Sequence, residues 1–312
     1  MHRVLVVIHL YYPEQVDTIL NNLKNVSLEY DLYCSIGNAE HHDEIRDKVL
    51  KFDSKARIID VKNVGYDVWP FIHIINGIDL SLYEYIIKLH TKRDMPDVHT
   101  SPLGNGFWIG PCSNWRDCLY SFVATRDNFR KCLVALEKPT VGMCARFNVI
   151  HNAPNHTGVL DYAKKYHPNY TLNLRHYNFV AGTMFIAKAA PFQMLKDLNI
   201  TEDLFDTPKE KHKMQFAHVV ERLFGAIIYK SNMEIVDPFT PLDYIKEIKH
   251  YYRKQKWVKR GINYLLIPCF IQKYRRQLKR KLLKRFRPMT IDKIVEYDIQ
   301  CLADQCKKYE HD

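Results

Sequence analysis

Apolar and polar positions along the first sixty residues follow two periods in turn. Residues 4–10, VLVVIHL, are a continuous apolar run interrupted only by His9, the pattern of a strand covered on both faces. After Pro13 and Glu14, residues Val16, Ile19, Leu20 and Leu23 recur at helical spacing, and proline near a helix start is favoured. Residues 30–36 predict a second strand that stops at Gly37-Asn38, and residues 43–52 a second helix striped by Ile45, Val49 and Leu50. Residues 56–61 predict a third strand. Strand, helix, strand, helix, strand is the order of an α/β fold with a parallel sheet and right-handed crossovers.

The later pattern is less regular. A short helical segment over 70–75 leads to an apolar run over 83–89 that stops at His90-Thr91-Lys92-Arg93. Residues 94–108 are rich in Pro, Gly, Asp, His and Ser, a long connection of the kind that carries function or moves. Residues 115–136 predict a helix and 141–147 a short strand. Residues 148–173 are polar, and the spacing of His151, His156 and His167 fits no helical ligand pair for a metal. Residues 177–187 predict a buried strand interrupted by Gly182-Thr183, where a ligand or another backbone could approach closely. A helix is expected over 191–198. A longer one over 213–228 carries Phe216, Val219, Val220, Leu223, Phe224 and Ile227 on one stripe, with His218, Glu221, Arg222 and Gly225 off it.

Composition narrows the class. The 312 residues are 46% apolar, enough to bury the core of one large domain or two smaller ones. Eight cysteines form no CxxC pair and no zinc-ligand spacing, so free buried thiols in a reducing compartment are expected. The first apolar run is too short for a signal peptide, and no run approaches the ~20 residues of a membrane span. The sequons at Asn25, Asn155, Asn169 and Asn199 have no glycosylation meaning in that setting. No glycine-rich dinucleotide fingerprint follows the first strand, which disfavours an NAD site. The net charge of +11 is localised: residues 253–287 hold 14 Lys or Arg and no Asp or Glu, leaving −3 for the rest. That segment bears on partners more than on fold.

Polar residues gathered where buried strands stop mark the crevice in which open α/β sheets bind ligands. Here they are His9, the loop Asn63-Val64-Gly65-Tyr66-Asp67, and His90-Thr91-Lys92. Taken alone, the loop also reads as an ordinary turn and the helix residues His218, Glu221 and Arg222 as an exposed polar face.

Five stretches carry a resemblance: HLYYPE at 9–14, NVGYDVWPF at 63–71, YEYIIKLHTKR at 83–93, FVAGTMF at 179–185 and HVVERLFG at 218–225. In this order, over residues 4–229, the chain resembles the rhamnan synthesis protein F family of bacterial polysaccharide glycosyltransferases. Tyr66 stands where a basic residue is expected and Ile186 where an aromatic is usual, departures that bear on donor or acceptor preference. The resemblance implies a GT-A-like domain over 1–250, a mostly parallel Rossmann-like sheet with helices on both faces, followed by a basic helical region over 251–312. It implies transfer of a sugar, rhamnose or a related hexose, from a dTDP- or UDP-sugar. The acceptor would be a cell-surface polysaccharide or lipid-linked glycan such as an O-antigen. Donor contacts are then expected from His9, Asn63, Gly65, Tyr66, Asp67, His90, Thr91, Lys92 and Arg222, and acceptor contacts from Gly182, Thr183 and His218. Glu221 is the expected general base and Asp67 the second candidate. Where such folds usually carry a metal-binding Asp-x-Asp, this chain has His90-Thr91-Lys92 and a lone Asp94. Cations of the chain can neutralise a leaving diphosphate themselves, so no cofactor is required; Mg or Mn is allowed but not expected. A non-catalytic glycan-binding or assembly protein is the alternative. Nucleic acid is not an expected partner, because the basic segment lacks a zinc module or an RNP-like strand.

That basic segment, 251–287, has an apolar centre over 262–271 broken by Asn263 and Pro268, too short to span a bilayer. Trp257, Tyr264, Phe270 and Tyr274 are residues enriched at membrane interfaces, and Leu278, Leu282, Leu283 and Phe286 recur at helical spacing among Lys and Arg. Either the leucines pack on the domain, or the segment attaches the protein to the anionic inner face of the cell membrane from the cytoplasm.

Overall fold

The computed structural model describes residues 3–92, 115–146, 149–152, 157–170, 177–205 and 215–239. The chain divides into one unit of Met1–Arg93 with Leu119–Pro238 and a second of Asp94–Cys118 with Phe239–Asp312. The second unit, including the basic segment, lies almost wholly outside the described residues.

The opening alternation is β1 (Val4–Leu10), α1 (Pro13–Leu23), β2 (Tyr30–Ile36), α2 (His42–Phe52), β3 (Arg57–Asp60), α3 (Val68–Asn76) and β4 (Tyr85–His90). Every residue of β1 and β4 is buried, as the apolar runs require. Then come α4 (Trp115–Tyr120), α5 (Arg126–Leu136), β5 (Val141–Cys144), β6 (Ile150–Asn152), α6 (Thr157–Tyr166), β7 (Asn178–Val180), β8 (Phe185–Lys188), α7 (Gln193–Asp197), α8 (Phe216–Lys230) and β9 (Glu234–Val236).

Among the described residues the main sheet has the order β3-β2-β1-β4-β8-β5-β9, and β6 pairs with β7 apart from it. Strands β1 to β4 are mutually parallel. β8 runs antiparallel to both β4 and β5, and β9 is again parallel to β5. The steps from β1 through α1 to β2 and through α2 to β3 go one way along the sheet; the step through α3 to β4 goes back past β1. With right-handed crossovers, α1 and α2 therefore cover one face and α3 the other. α3 shares its layer with α7 and α8, and α1 packs on α2. The mostly parallel α/β sheet with helices on both faces is thus as expected from the sequence.

Two readings of the sequence are refined. Residues 177–187 are not one strand: β7 and β8 belong to different sheets, because Gly182 (φ 83°) and Thr183 (φ 51°) are both left-handed and turn the chain between them. The helix expected over 115–136 is interrupted before α5, where Thr125 is extended and its Oγ1 accepts from Asn128 N–H at 3.1 Å, an N-cap that starts a new helix. The core beneath α3 is aromatic: Phe71, Phe185, Phe192 and Phe224 meet with ring centroids 5.5–6.3 Å apart. Gly225 lets α8 lie directly on β7, since a Cβ there would stand 2.1 Å from the carbonyl oxygen of Asn178.

Candidate active site

The direction of crossover reverses between β1 and β4, and ligands of open α/β sheets bind at that switch, beyond the carboxyl ends of the strands. In register, His9 and His90 stand side by side at those ends. Side chains alternate along β4, so Lys88 and His90 point to one face; the Lys88 bond to Asp67, and the approach of His90 to the same carboxylate at 3.6 Å, identify it as the face of α3.

Lys88 is the residue the sequence reading passed over. It sits inside the apolar run YIIKLH, 1% exposed, between the rings of Phe71 and Phe224 at 5.5 and 5.9 Å. The signal was there: a lysine in a strand buried on both faces must be paired. Its partners are Asp67 at 2.5 Å and the Thr183 hydroxyl at 2.8 Å. The Thr183 hydroxyl in turn donates to the same Asp67 oxygen. Burial alone would raise the Asp67 carboxyl, but His90, Lys88 and Lys92 outweigh it and hold Asp67 well below the usual carboxylate range. Burial lowers the Lys88 ammonium against the pull of Asp67. The pair is an enclosed ion pair.

His90 binds on two sides: Nε2 lies 2.9 Å from the Gly182 carbonyl and Nδ1 2.9 Å from the Thr91 carbonyl. Burial pushes its imidazole down to about 4 despite Asp67, so at neutral pH only one of these nitrogens donates. His9 places Nδ1 3.0 Å from Ser35 Oγ, and burial pushes it down to about 3. Unfolded imidazoles protonate near 6.5, so from there down to about 4 the unfolded chain binds more protons than the folded one. Stability therefore drops as the pH is lowered through this window, by on the order of 1 kcal/mol per pH unit for each of the two histidines. Urea unfolding at stepped pH checks this, and a midpoint that stays level across the window would contradict it. Asp67, depressed in the fold, adds its own loss only at lower pH.

The turn at Gly182 joins this cluster to α8. Its N–H donates to Glu221 Oε1 at 2.9 Å, while its carbonyl faces His90. Arg222 donates to Glu221 Oε2 and to the His218 carbonyl, with its guanidinium 4.2 Å from the ring centre of Phe179. Burial lowers the His218 imidazole, and its Nδ1 accepts from Gln215 N–H at 3.1 Å. Across the turn, Gly65 (φ 63°) has no room for a Cβ, which would meet Phe205 at 2.5 Å and Trp69 at 2.7 Å. Tyr66 (φ 55°) follows it, half exposed, its ring centroid 6.4 Å from that of His218 with the planes at 69°.

Asp67, His90, Gly182, Thr183, His218, Glu221 and Arg222 thus form one connected group. Thr91 touches it from behind: its Oγ1 accepts from the N–H groups of Tyr11 and Tyr12 at 2.8 and 3.2 Å. Lys92 N–H donates to Gln15 at 2.8 Å. Asn63 is exposed in the loop after β3, and no hydrogen bond among the described residues ties it to the group. Among the described residues no three His, Cys, Asp or Glu side chains are placed to hold a metal ion.

The family described as Rhamnan synthesis protein F matches residues 1–233. No curated protein matches the chain. Among solved structures, the crystal structure of S. aureus TarS 1-349 is similar at 10% sequence identity, covering 84% of this chain and 68% of that chain. The TM-score of that match is 0.41.

Proposed function

Since the chain belongs to the rhamnan synthesis protein F family, we propose that it moves a sugar from a nucleotide-diphosphate donor to a growing glycan through the site at the ends of β1 and β4. Membership carries the coarse activity, that of a glycosyltransferase in polysaccharide synthesis. The finer reading is a GT-A-like enzyme using a dTDP- or UDP-sugar, with rhamnose or a related hexose transferred to a polysaccharide or lipid-linked acceptor.

The observation that supports it best is the pairing, at the switch point, of a cationic group with a carboxylate on the facing helix. Lys92, just beyond the end of β4, supplies the cation for the leaving diphosphate, while the buried, neutral His90 holds the Gly182 turn; a fixed cation stabilises charge that develops there. Glu221 takes the proton of the acceptor hydroxyl as its oxygen attacks the anomeric carbon and the bond to the diphosphate breaks. Arg222, bonded to Glu221 and to the α8 backbone, is a positioning residue for that carboxylate. Asp67, the second candidate, is already held anionic by Lys88 and takes a proton poorly; its part is to fix Thr183 and the cations around it. No metal ion is required in this scheme.

A thermal-shift series with dTDP- and UDP-sugars, with and without Mg or Mn, tests the reading, because a specific donor stabilises by mass action. The donor should raise the melting temperature without added metal, and sugar should pass to an oligosaccharide acceptor. No shift with any such donor would overturn it; glycan binding without donor-dependent transfer would favour the non-catalytic alternative.

Residues 251–287 lie outside the described residues, and their role rests on sequence. Among the described residues no helix is long and apolar enough to cross a membrane. In this proposal the basic segment holds residues 1–250 against the anionic inner leaflet, each nearby Lys or Arg adding ~1 kcal/mol. The chain should pellet with anionic but not neutral vesicles and be released by salt, and truncation after His250 should abolish pelleting. Equal pelleting of the truncated chain would rule it out.

A further inference from the structure

We propose that Tyr66 is the platform on which the acceptor sugar rests, and so a specificity-determining residue of this site. The inference depends on the transferase reading above and adds to it which substrate the ring meets. Aromatic side chains bury when they can, yet Tyr66 is 50% exposed. Its backbone is left-handed at φ 55°, a conformation disfavoured for a bulky non-glycine residue and kept only where the surroundings impose it. They do: Gly65 before it is also left-handed and wedged against Phe205 and Trp69, and Asp67 after it is fixed by Lys88 and Thr183. The loop is braced further by Glu202, which accepts from Lys62 at 2.6 Å and from the Trp69 indole at 3.2 Å. An exposed ring is thus held in a set orientation by a strained, supported backbone.

Its position assigns the occupant. The Tyr66 ring and the His218 imidazole lie with centroids 6.4 Å apart and planes at 69°, and one turn along α8 from His218 is Glu221, the proposed base. The base must reach the hydroxyl that attacks, so the sugar lying between Tyr66 and Glu221 is the acceptor. The sequence groups Tyr66 with the donor contacts; its place on the α8 side moves it to the acceptor. A pyranose presents a face of C–H groups that packs on an aromatic ring, and His218 beside it offers a ring nitrogen for a hydroxyl.

The experiment uses the full chain, a nucleotide-sugar donor that gives transfer, and a soluble rhamnose trisaccharide as acceptor. Tyr66→Ala keeps the same backbone demand and removes the ring. It is expected to raise the acceptor KM by ~10-fold or more, the loss of one stacked ring, while the donor KM stays within about twofold. Tyr66→Phe and Tyr66→Trp should restore the acceptor KM, because a face and not the hydroxyl is required. Trisaccharide binding without donor, followed by calorimetry, should weaken in parallel. An acceptor KM and trisaccharide affinity unmoved in Tyr66→Ala would overturn the proposal, as would a rise confined to the donor KM. If no donor supports transfer at all, the transferase reading fails, and calorimetry still decides on the ring: ring-dependent trisaccharide binding sustains the platform, and ring-independent or absent binding ends it.

Discussion

Glu221→Gln is expected to lower kcat by ~100- to 10,000-fold, the range over which a positioned general base contributes. The amide keeps the shape of the side chain, and its oxygen can still accept from Gly182 N–H. What it cannot do is take a proton. Its NH2 would also face the Arg222 guanidinium, two donors where an ion pair stood. That second effect acts on stability, since removing one member of a buried pair costs ~3–5 kcal/mol. The two are separable: turnover is measured at saturating donor and acceptor, well below the melting temperature of the variant, on protein shown to be folded. Donor-induced thermal shift should persist. Arg222→Lys keeps the charge but loses the fork and should cost less, because it disturbs the base without removing it. Near-normal turnover of Glu221→Gln would remove Glu221 from the role.

The second large effect concerns stability. Lys88→Met should destabilise the fold by ~3–5 kcal/mol, the cost of leaving a buried charge without its partner. Methionine preserves most of the packing of the lysine stem between Phe71 and Phe224, so the loss reports on Asp67 and not on a cavity. Lys62 provides the contrast: it pairs with Glu202 at 2.6 Å but is 76% exposed, and its replacement should cost ~0–1 kcal/mol. Adding Asp67→Asn to Lys88→Met should recover part of the loss, because the two residues are one unit. Denaturant unfolding of the four proteins forms the cycle. A loss below ~1 kcal/mol for Lys88→Met would mean that water or another group satisfies Asp67.

Legibility from sequence followed locality. β1, α1 and β2 have the expected limits because their apolar periods, Pro13 and Gly37 are local signals. That His9, Asp67 and His90 lie near strand ends was also legible, but that β1 and β4 are neighbours, which makes those ends a switch point, is seen only in the sheet. What stayed hidden depends on distant partners. β8 reads like its parallel neighbours, since nothing within FIAK records strand direction. The chain enters β8 from the turn at Gly182 and Thr183, where a threonine in a left-handed conformation is held by Asp67, 116 residues away. β9 is three residues long, too short for a period. Lys88 was visible as a charge in an apolar run, but its partners lie 21 and 95 residues away.

That buried lysine has a consequence in the life of the chain before the fold is complete. On the ribosome, β1 to β4 and Asp67 are in hand once Lys88 has emerged, but β8, which closes the β4 edge, comes about 100 residues later, roughly 5 to 20 s at ordinary synthesis rates. Through that interval β4 is an open strand edge of apolar residues, the kind that recruits strands from other chains. A charge set in the middle of such a strand is a known guard against that pairing. Lys88, locked between two rings in the finished protein, would in those seconds serve the nascent edge as such a guard. The Lys88→Met chain should therefore aggregate during synthesis or refolding at concentrations where the parent chain does not, even where Asp67→Asn has restored the stability of the product.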